Sequence, residues 1–168
     1  YRYHWSQHNE VKSDDLNKII NRDNYKDHVL KRIPEEWKNH DVILGDEIFI
    51  DEFKFSKIIK HAKKKFFLNP RFFIKSNRNI KLHFDIFHGD GNIDKAINLL
   101  EDNERDDFRK FVTYNRSFNR ENLFFCRSNK LMNEYFASIF KWLEKCEKSF
   151  GFDLEGYSMT RIYAFLAE

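Results

Sequence analysis

The sequence is poor in the residues that cross-link a chain or interrupt its regular structure. Among its 168 residues there are 2 Cys, 2 Pro and 5 Gly. The two cysteines, Cys126 and Cys146, are too few and too widely spaced for a disulfide framework or a zinc site, so we expect two reduced thiols, as in the cytosol. Apolar runs are only a few residues long, which excludes a membrane-spanning helix. Gly-rich phosphate loops, Gly-x-Ser-x-Gly elbows and Cys–His nucleophile pairs are also missing.

Aromatic and charged side chains are abundant. Hydrophobic residues make up 41% of the sequence and include 19 Phe, 7 Tyr and 3 Trp, which is enough for a core and excludes disordered and collagen-like classes. Lys and Arg number 30 against 27 Asp and Glu, a net charge of +3. This surplus is too small for a dedicated nucleic-acid binder, so no nucleic-acid partner is expected. No repeat or linker interrupts the chain, and we predict that residues 1–168 form a single domain.

Alternating strand and helix signals predict an α/β fold. Runs rich in Phe, Ile and Val predict strands at 1–5, 41–45, 66–68, 71–74 and 80–87. Helical spacing of apolar residues predicts helices from Ser13, over 56–65, from Asn92 to Leu100, over 130–149 and over 157–168. The helix over 130–149 carries the longest apolar stripe, which we expect to face the core and to end at Gly151. Its members are Leu131, Tyr135, Phe136, Ile139, Phe140, Leu143 and Cys146.

The richest polar cluster lies between His83 and Asn92. Two imidazoles and two carboxylates occur there within eight residues, at His83, Asp85, His88 and Asp90, beside glycines that allow a tight turn. This composition fits an acid–base, substrate-binding or metal site. It fits equally well a half-buried strand with a solvated polar face, because polar and apolar residues alternate over 81–86. The residues alone leave both interpretations open.

Two other clusters favour ordinary surface roles. The acidic pairs at 46–47 and 51–52 follow a predicted strand, where open α/β sheets bind ligands, but without an Asp-x-Asp arrangement a solvated loop is favoured. The lysines of 60–65 precede Phe66 and Phe67, a combination that also occurs in single-stranded nucleic-acid binders. The exposed face of an amphipathic helix is the favoured interpretation there.

Several short motifs occur together in a definite order. They are Tyr-Arg-Tyr-His-Trp at 1–5, Asp-Val-Ile-Leu at 41–44, Phe-Asp-Ile-Phe-His at 84–88 followed by Asp90 or Asp94, Asn-Leu-Phe-Phe at 122–125, the aromatic helix of 135–147, and Arg-Ile-Tyr-Ala-Phe-Leu-Ala-Glu at 161–168. In this order they resemble a bacterial glycosyltransferase family of capsule and lipopolysaccharide gene clusters, catalogued as domain of unknown function 4422. The tail motif is the most specific of the set.

The resemblance implies a fold and an activity. The fold would be a mixed sheet flanked by helices, related to the nucleotide-diphospho-sugar transferases (GT-A-like). The chain would be the C-terminal portion of a longer protein and would itself lack the first βαβ unit. The enzyme would move a sugar from a nucleotide-sugar donor to an oligosaccharide or lipid-linked glycan acceptor, in the cytoplasm or at the inner face of the cell membrane. Dependence on a divalent cation stays open, because no Asp-x-Asp motif is present.

The resemblance also assigns roles to single residues. His88, Asp90 or Asp94 would take the acceptor proton, with His88 favoured over His83, which fits the wet face of a strand. The remaining candidates would bind substrate, and they are Tyr1, Arg2, Asn122, Arg161 and Glu168. Arg2 and Arg161 would hold the donor diphosphate, although Tyr3 replaces a second arginine of the family motif. The alternatives for single residues are a structural role for Arg161 and Glu168 in pairing helix with sheet, and a turn anchor at Asn122. The alternatives for the whole chain are a carbohydrate- or nucleotide-binding module without catalysis and, after it, a nucleic-acid-binding domain.

Overall fold

The computed structural model describes residues 21–23, 26, 32–45, 47–50, 56, 59, 63–68, 70, 74, 77–119 and 124–168. These residues form a mixed α/β structure that is mostly helical and has small antiparallel sheets. The chain divides into two compact units, Tyr1–Asp41 and Val42–Glu168. In the first unit, the described residues include a 3-10 helix at Glu35–Asn39, which begins after Pro34. That the whole chain is one domain stays a prediction.

The second unit contains two short antiparallel strand pairs. Strand β1 (Val42–Leu44) pairs antiparallel with β4 (Phe124–Cys126), and β2 (Glu47–Phe49) pairs antiparallel with β3 (Ser117–Asn119). The predicted strand at 41–45 is therefore confirmed, although it is half-buried rather than buried. The side-chain amide of Asn119 donates to the carbonyl of Gly45, which ties the two pairs together at their junction.

Two predicted strands are wrong, because residues 66–68 and 80–87 lie in helices. They belong to α1 (Lys63–Leu68) and α2 (Ile80–His88). Asn79 decides the second case: its side-chain oxygen accepts from the Leu82 amide at 2.8 Å and caps the helix. The side-chain nitrogen of Asn79 also donates to the main-chain carbonyl of Thr113 at 2.8 Å. This contact joins residues 34 positions apart, so no local sequence pattern predicts it.

The remaining helices surround one core. They are α3 (Asn92–Asn98), α4 (Asp102–Tyr114), α5 (Asn129–Phe150) and α6 (Ile162–Ala167). The helix predicted from Asn92 is confirmed, whereas α4 was not predicted. The core consists of Phe84, Ile93, Ala96, Ile97, Leu100, Val112, Trp142, Cys146, Ile162 and Leu166. The indole N–H of Trp142 donates to the carbonyl of Ala96 at 2.7 Å and fixes α5 against α3.

The helix predicted over 130–149 is confirmed as α5, but less of its apolar stripe faces the core than predicted. Ser128 caps its first turn, accepting from the Leu131 amide at 3.2 Å, and Gly151 ends it with a positive φ of 69°. Only its second half packs into the core, where Trp142 is 7% exposed. Phe140 is 63% exposed, so the prediction that the whole stripe is buried is wrong. The first half contacts β4 instead, where the ring of Tyr135 meets that of Phe124.

Candidate functional site

A tight turn between α2 and α3 organises the polar cluster predicted from the sequence. Gly89 and Gly91 both have positive φ, 95° and 75°, which only glycine adopts without strain. The carboxylate of Asp85 accepts from the Gly91 amide at 3.1 Å, and the side chain of Asn92 donates to the His88 carbonyl at 2.7 Å. A side chain at Gly89 would collide with Asn92, because a Cβ there would lie 2.6 Å from its amide nitrogen. The segment thus consists of two helices joined by a tight turn, whereas one interpretation of the sequence had been a strand followed by a turn.

His88 lies at the end of α2 and is 5% exposed. Its ring packs between Phe84 and Phe165, with centroids at 4.7 and 4.2 Å. Its Nδ1 lies 3.0 Å from the carbonyl oxygen of Ser158. Since a carbonyl can only accept, Nδ1 carries the proton and Nε2 is the unprotonated nitrogen. Burial lowers the pKa of His88 below its ordinary value, the hydrogen bond to Ser158 opposes this, and the charge of Arg161 lowers it further.

Arg161 belongs to the same group of side chains. Its guanidinium lies over the rings of Tyr157 and Phe165, 5.1 and 5.2 Å from their centroids, and donates to the Tyr157 hydroxyl. Phe165 therefore touches both Arg161 and His88, which are 73 positions apart and were predicted from different motifs. We call His88, Ser158, Arg161 and Phe165 the His88–Arg161 cluster. Contacts with two rings restrict the position of the guanidinium, whose fork of N–H groups can bind an anion in a bidentate manner.

The carboxylates predicted beside His88 lie in different surroundings. Asp94 forms an ion pair with Lys81 and approaches Arg109 at 3.9 Å, while Lys81 also reaches Asp85 at 3.5 Å. Burial lowers the pKa of Lys81, but these two carboxylates outweigh it and the net direction is upward. This network joins α2, α3 and α4. Asp90 is exposed on the turn.

His83 was expected on the wet face of a strand, and this is wrong. It lies within α2, with its ring 4.8 Å from that of Phe87 and 6.1 Å from that of Phe118. Burial, reinforced by the charges of His88 and Arg78, lowers the pKa of His83 to about 4. At neutral pH its imidazole is therefore uncharged and packs as an aromatic ring.

A cavity of about 340 Å³ lies at the other end of α6. Its lining comes from β1, β3, β4, the start of α5 and the end of α6, and consists of Val42, Leu44, Asn119, Phe124, Cys126, Leu131, Met132, Tyr135 and Glu168. We call it the Glu168 cavity. Its walls are mainly apolar, and Asn119, Tyr135 and Glu168 supply polar groups. Burial raises the pKa of Tyr135, so its hydroxyl keeps its proton. Of these lining residues, the sequence prediction contained only Glu168 as a site residue.

Three predicted positions lie outside the described residues. They are Tyr1, Arg2 and Asn122, and the acidic positions 46, 51 and 52 lie outside as well. Among the residues that the structure describes, no group of three or more His, Cys, Asp or Glu side chains could hold a metal ion. Within the same residues, no helix is both long and apolar enough to cross a bilayer.

Comparisons with protein-family models, curated proteins and solved structures found no match to the chain.

Proposed function

We propose that the chain is a glycosyltransferase domain with a GT-A-like fold, which moves a sugar from a nucleotide-sugar donor to a surface-polysaccharide acceptor. One observation carries this proposal: Arg161 and Glu168 lie at opposite ends of α6, seven residues apart. A helix rises about 10 Å over seven residues, so the two side chains start from points about that far apart. In a glycosyl transfer, a cation can bind the diphosphate that leaves the donor, and a carboxylate can take the proton of the acceptor hydroxyl.

The donor end is the His88–Arg161 cluster. Departure of a nucleoside diphosphate needs positive charge that is already in place when the sugar–phosphate bond breaks. The guanidinium of Arg161 is positioned by its contacts with Tyr157 and Phe165. Lysine at this position would keep the charge but would lose the planar fork that matches a phosphate.

His88 acts in this proposal as a positioning residue. Because its ring is almost fully enclosed, it is poorly placed to meet an acceptor hydroxyl. Its Nδ1–H instead holds the Ser158 carbonyl, and its ring supports Phe165, on which Arg161 stacks. Loss of His88 would therefore act on donor binding through Arg161.

The acceptor end is the Glu168 cavity. Its volume of about 340 Å³ is within the range of small-ligand pockets, roughly 300–1,000 Å³, and suits one sugar unit. A sugar ring has apolar C–H faces and a polar edge of hydroxyls. The rings of Phe124 and Tyr135 would pack against the faces, and Asn119 and Glu168 would bind the hydroxyls. Glu168 would take the proton of the acceptor hydroxyl while the oxygen of that hydroxyl attacks the sugar carbon of the donor.

Thermal unfolding of the chain with a panel of nucleotide sugars tests the donor site. A ligand at 100 times its dissociation constant adds about 2.7 kcal/mol, which raises Tm by several degrees in a chain of this length. We expect one nucleotide class to stabilise the wild type, and Arg161→Lys to weaken its binding about tenfold. Arg109→Lys, a second partly exposed arginine that pairs with Asp94, is the matched control. Parallel runs with Mn²⁺ and with EDTA decide the metal dependence.

The cavity also favours a second candidate, a carbohydrate-binding module without catalysis. An apolar pocket with a few polar groups binds a sugar whether or not a reaction follows. Release of nucleoside diphosphate in the presence of an acceptor separates the two functions. Acceptor binding without any release, under conditions in which the donor also binds, would overturn the transferase proposal and favour the module.

A further inference from the structure

The positive charge of the chain is concentrated in one segment. Residues 53–75 contain eight of the 30 Lys and Arg residues and none of the 27 Asp and Glu, so this segment carries +8 while the rest of the chain carries −5. Six of the 19 Phe residues also fall within it. We call residues 53–75 the basic segment. Neither end of the proposed transfer site uses it.

Helix α1 belongs to the basic segment, and two of its apolar side chains are highly exposed. Its sequence is three lysines followed by Phe66, Phe67 and Leu68. Phe67 and Leu68 are 82% and 85% exposed, more than any other large hydrophobic side chain in the described part of the chain, and Ile74 is exposed as well. Single exposed apolar residues are common on protein surfaces. Two consecutive and almost fully exposed ones, directly after three lysines, indicate a surface that is covered by something else.

We propose that α1, within the basic segment, binds the anionic surface of a lipid bilayer, with Phe67 and Leu68 inserted between the headgroups and the charge of its three lysines attracted to the lipid phosphates. Charge favours this occupant, because a +8 segment complements anionic lipid headgroups. Apolar chemistry favours it as well. Leu68 and Ile74 gain free energy by burial among acyl chains, whereas single-stranded nucleic acids bind aromatic side chains by base stacking, to which aliphatic residues contribute little.

The inference goes beyond the proposed function and does not depend on it. Each lysine near an anionic bilayer contributes about fivefold to the partition coefficient at low ionic strength. Three lysines together therefore contribute on the order of 100-fold. Burial of the Phe67 and Leu68 side chains adds roughly tenfold or more.

Sedimentation with vesicles tests the proposal on the full 168-residue chain. The wild type should bind vesicles that contain phosphatidylglycerol and phosphatidylcholine, and should bind pure phosphatidylcholine far more weakly. Lys63→Gln/Lys64→Gln/Lys65→Gln should lower the partition coefficient on the order of 100-fold. The matched control is Lys130→Gln/Lys141→Gln/Lys148→Gln, which removes the same charge from exposed positions on α5 and should leave binding within about threefold of the wild type.

A second pair of variants separates insertion from charge. Phe67→Ser/Leu68→Ser should lower binding roughly tenfold. Tyr114→Ser/Phe152→Ser, at other highly exposed positions, should not. Equal losses from the two lysine triples would reduce the effect to net charge and overturn the proposal, as would absence of wild-type binding. Tighter binding of a single-stranded oligonucleotide than of anionic vesicles, insensitive to the Phe67/Leu68 change, would assign the segment to nucleic acid. Transfer to a water-soluble acceptor should be unchanged in all four variants, which keeps this test separate from the proposed activity.

Discussion

The imidazole of His88 donates from Nδ1 to the main-chain carbonyl of Ser158, 70 residues further along the chain, at 3.0 Å. This bond joins the end of α2 to the turn that precedes α6. The same ring packs against Phe165, so His88 supports α6 where it lies on the end of α2. Because Phe165 also contacts Arg161, His88 would act on the proposed donor end through these two side chains.

Replacement of His88 tests this positioning role. His88→Ala removes a buried ring and its hydrogen bond, and should cost about 2–4 kcal/mol of unfolding free energy, measured by urea denaturation. His88→Asn restores an N–H donor close to the position of Nδ1, so it should recover part of the donor affinity that His88→Ala loses at a temperature where both variants are folded. A purely space-filling role for the ring would give both variants the same donor affinity.

Stability should depend on pH through buried histidines. The pKa of His83 is lowered to about 4, against 6.5 in the unfolded chain, and that of His88 is lowered too. Between these values the unfolded state binds more protons, so the contribution to stability is complete above pH 6.5 and is lost as the pH falls toward 4. For His83 the loss is on the order of 3 kcal/mol at most. Urea unfolding at pH 7, 5.5 and 4.5 should show this slope, and His83→Gln should flatten it.

The sequence predicted the elements whose local signals agree with their packing. Helix α5 was predicted because its apolar spacing and the stop at Gly151 both indicate one helix. The run from Lys81 to Ile86 misled because its alternation fits a strand, while Phe84 and His88 four residues apart fit a helix face equally well. The contact between Asn79 and Thr113 resolves this ambiguity, and it depends on tertiary structure.

Three residues of the candidate site were predicted from the sequence, but their arrangement was not. Short motifs indicated His88, Arg161 and Glu168, because each lies in a run with distinctive neighbours. That the first two meet at Phe165 follows from the packing of α6 on α2, which no spacing encodes. The cavity arises where β1 pairs with β4, so residues as distant as Val42 and Glu168 line one space. Asn119 was not singled out in the sequence, and Tyr135 was predicted only as a member of the apolar stripe and of the motif at 135–147.

The two halves of α5 should respond differently to truncation. Trp142→Ala removes a buried ring that contacts Phe108 and donates to Ala96, and should cost about 3–5 kcal/mol. Phe140→Ala, two residues earlier on the same helix, removes an exposed ring that stacks on Phe136, and should cost less than about 1 kcal/mol. Urea denaturation of both variants measures the difference. A comparable loss from Phe140→Ala would mean that the exposed half of the stripe is covered in solution.

Glu168→Gln tests the acceptor end of the proposed transfer. The substitution keeps the size of the side chain and its ability to hydrogen-bond a sugar hydroxyl, but it removes the base. Turnover should fall about 10²- to 10⁴-fold, while KM for the nucleotide sugar stays close to the wild-type value, because the donor binds at the opposite end of α6. Glu155→Gln, at an exposed position outside the cavity, is the matched control and should leave both parameters unchanged. A Glu168→Gln protein with full turnover would move the base to another group, with Asp90 on the exposed α2–α3 turn as the next candidate.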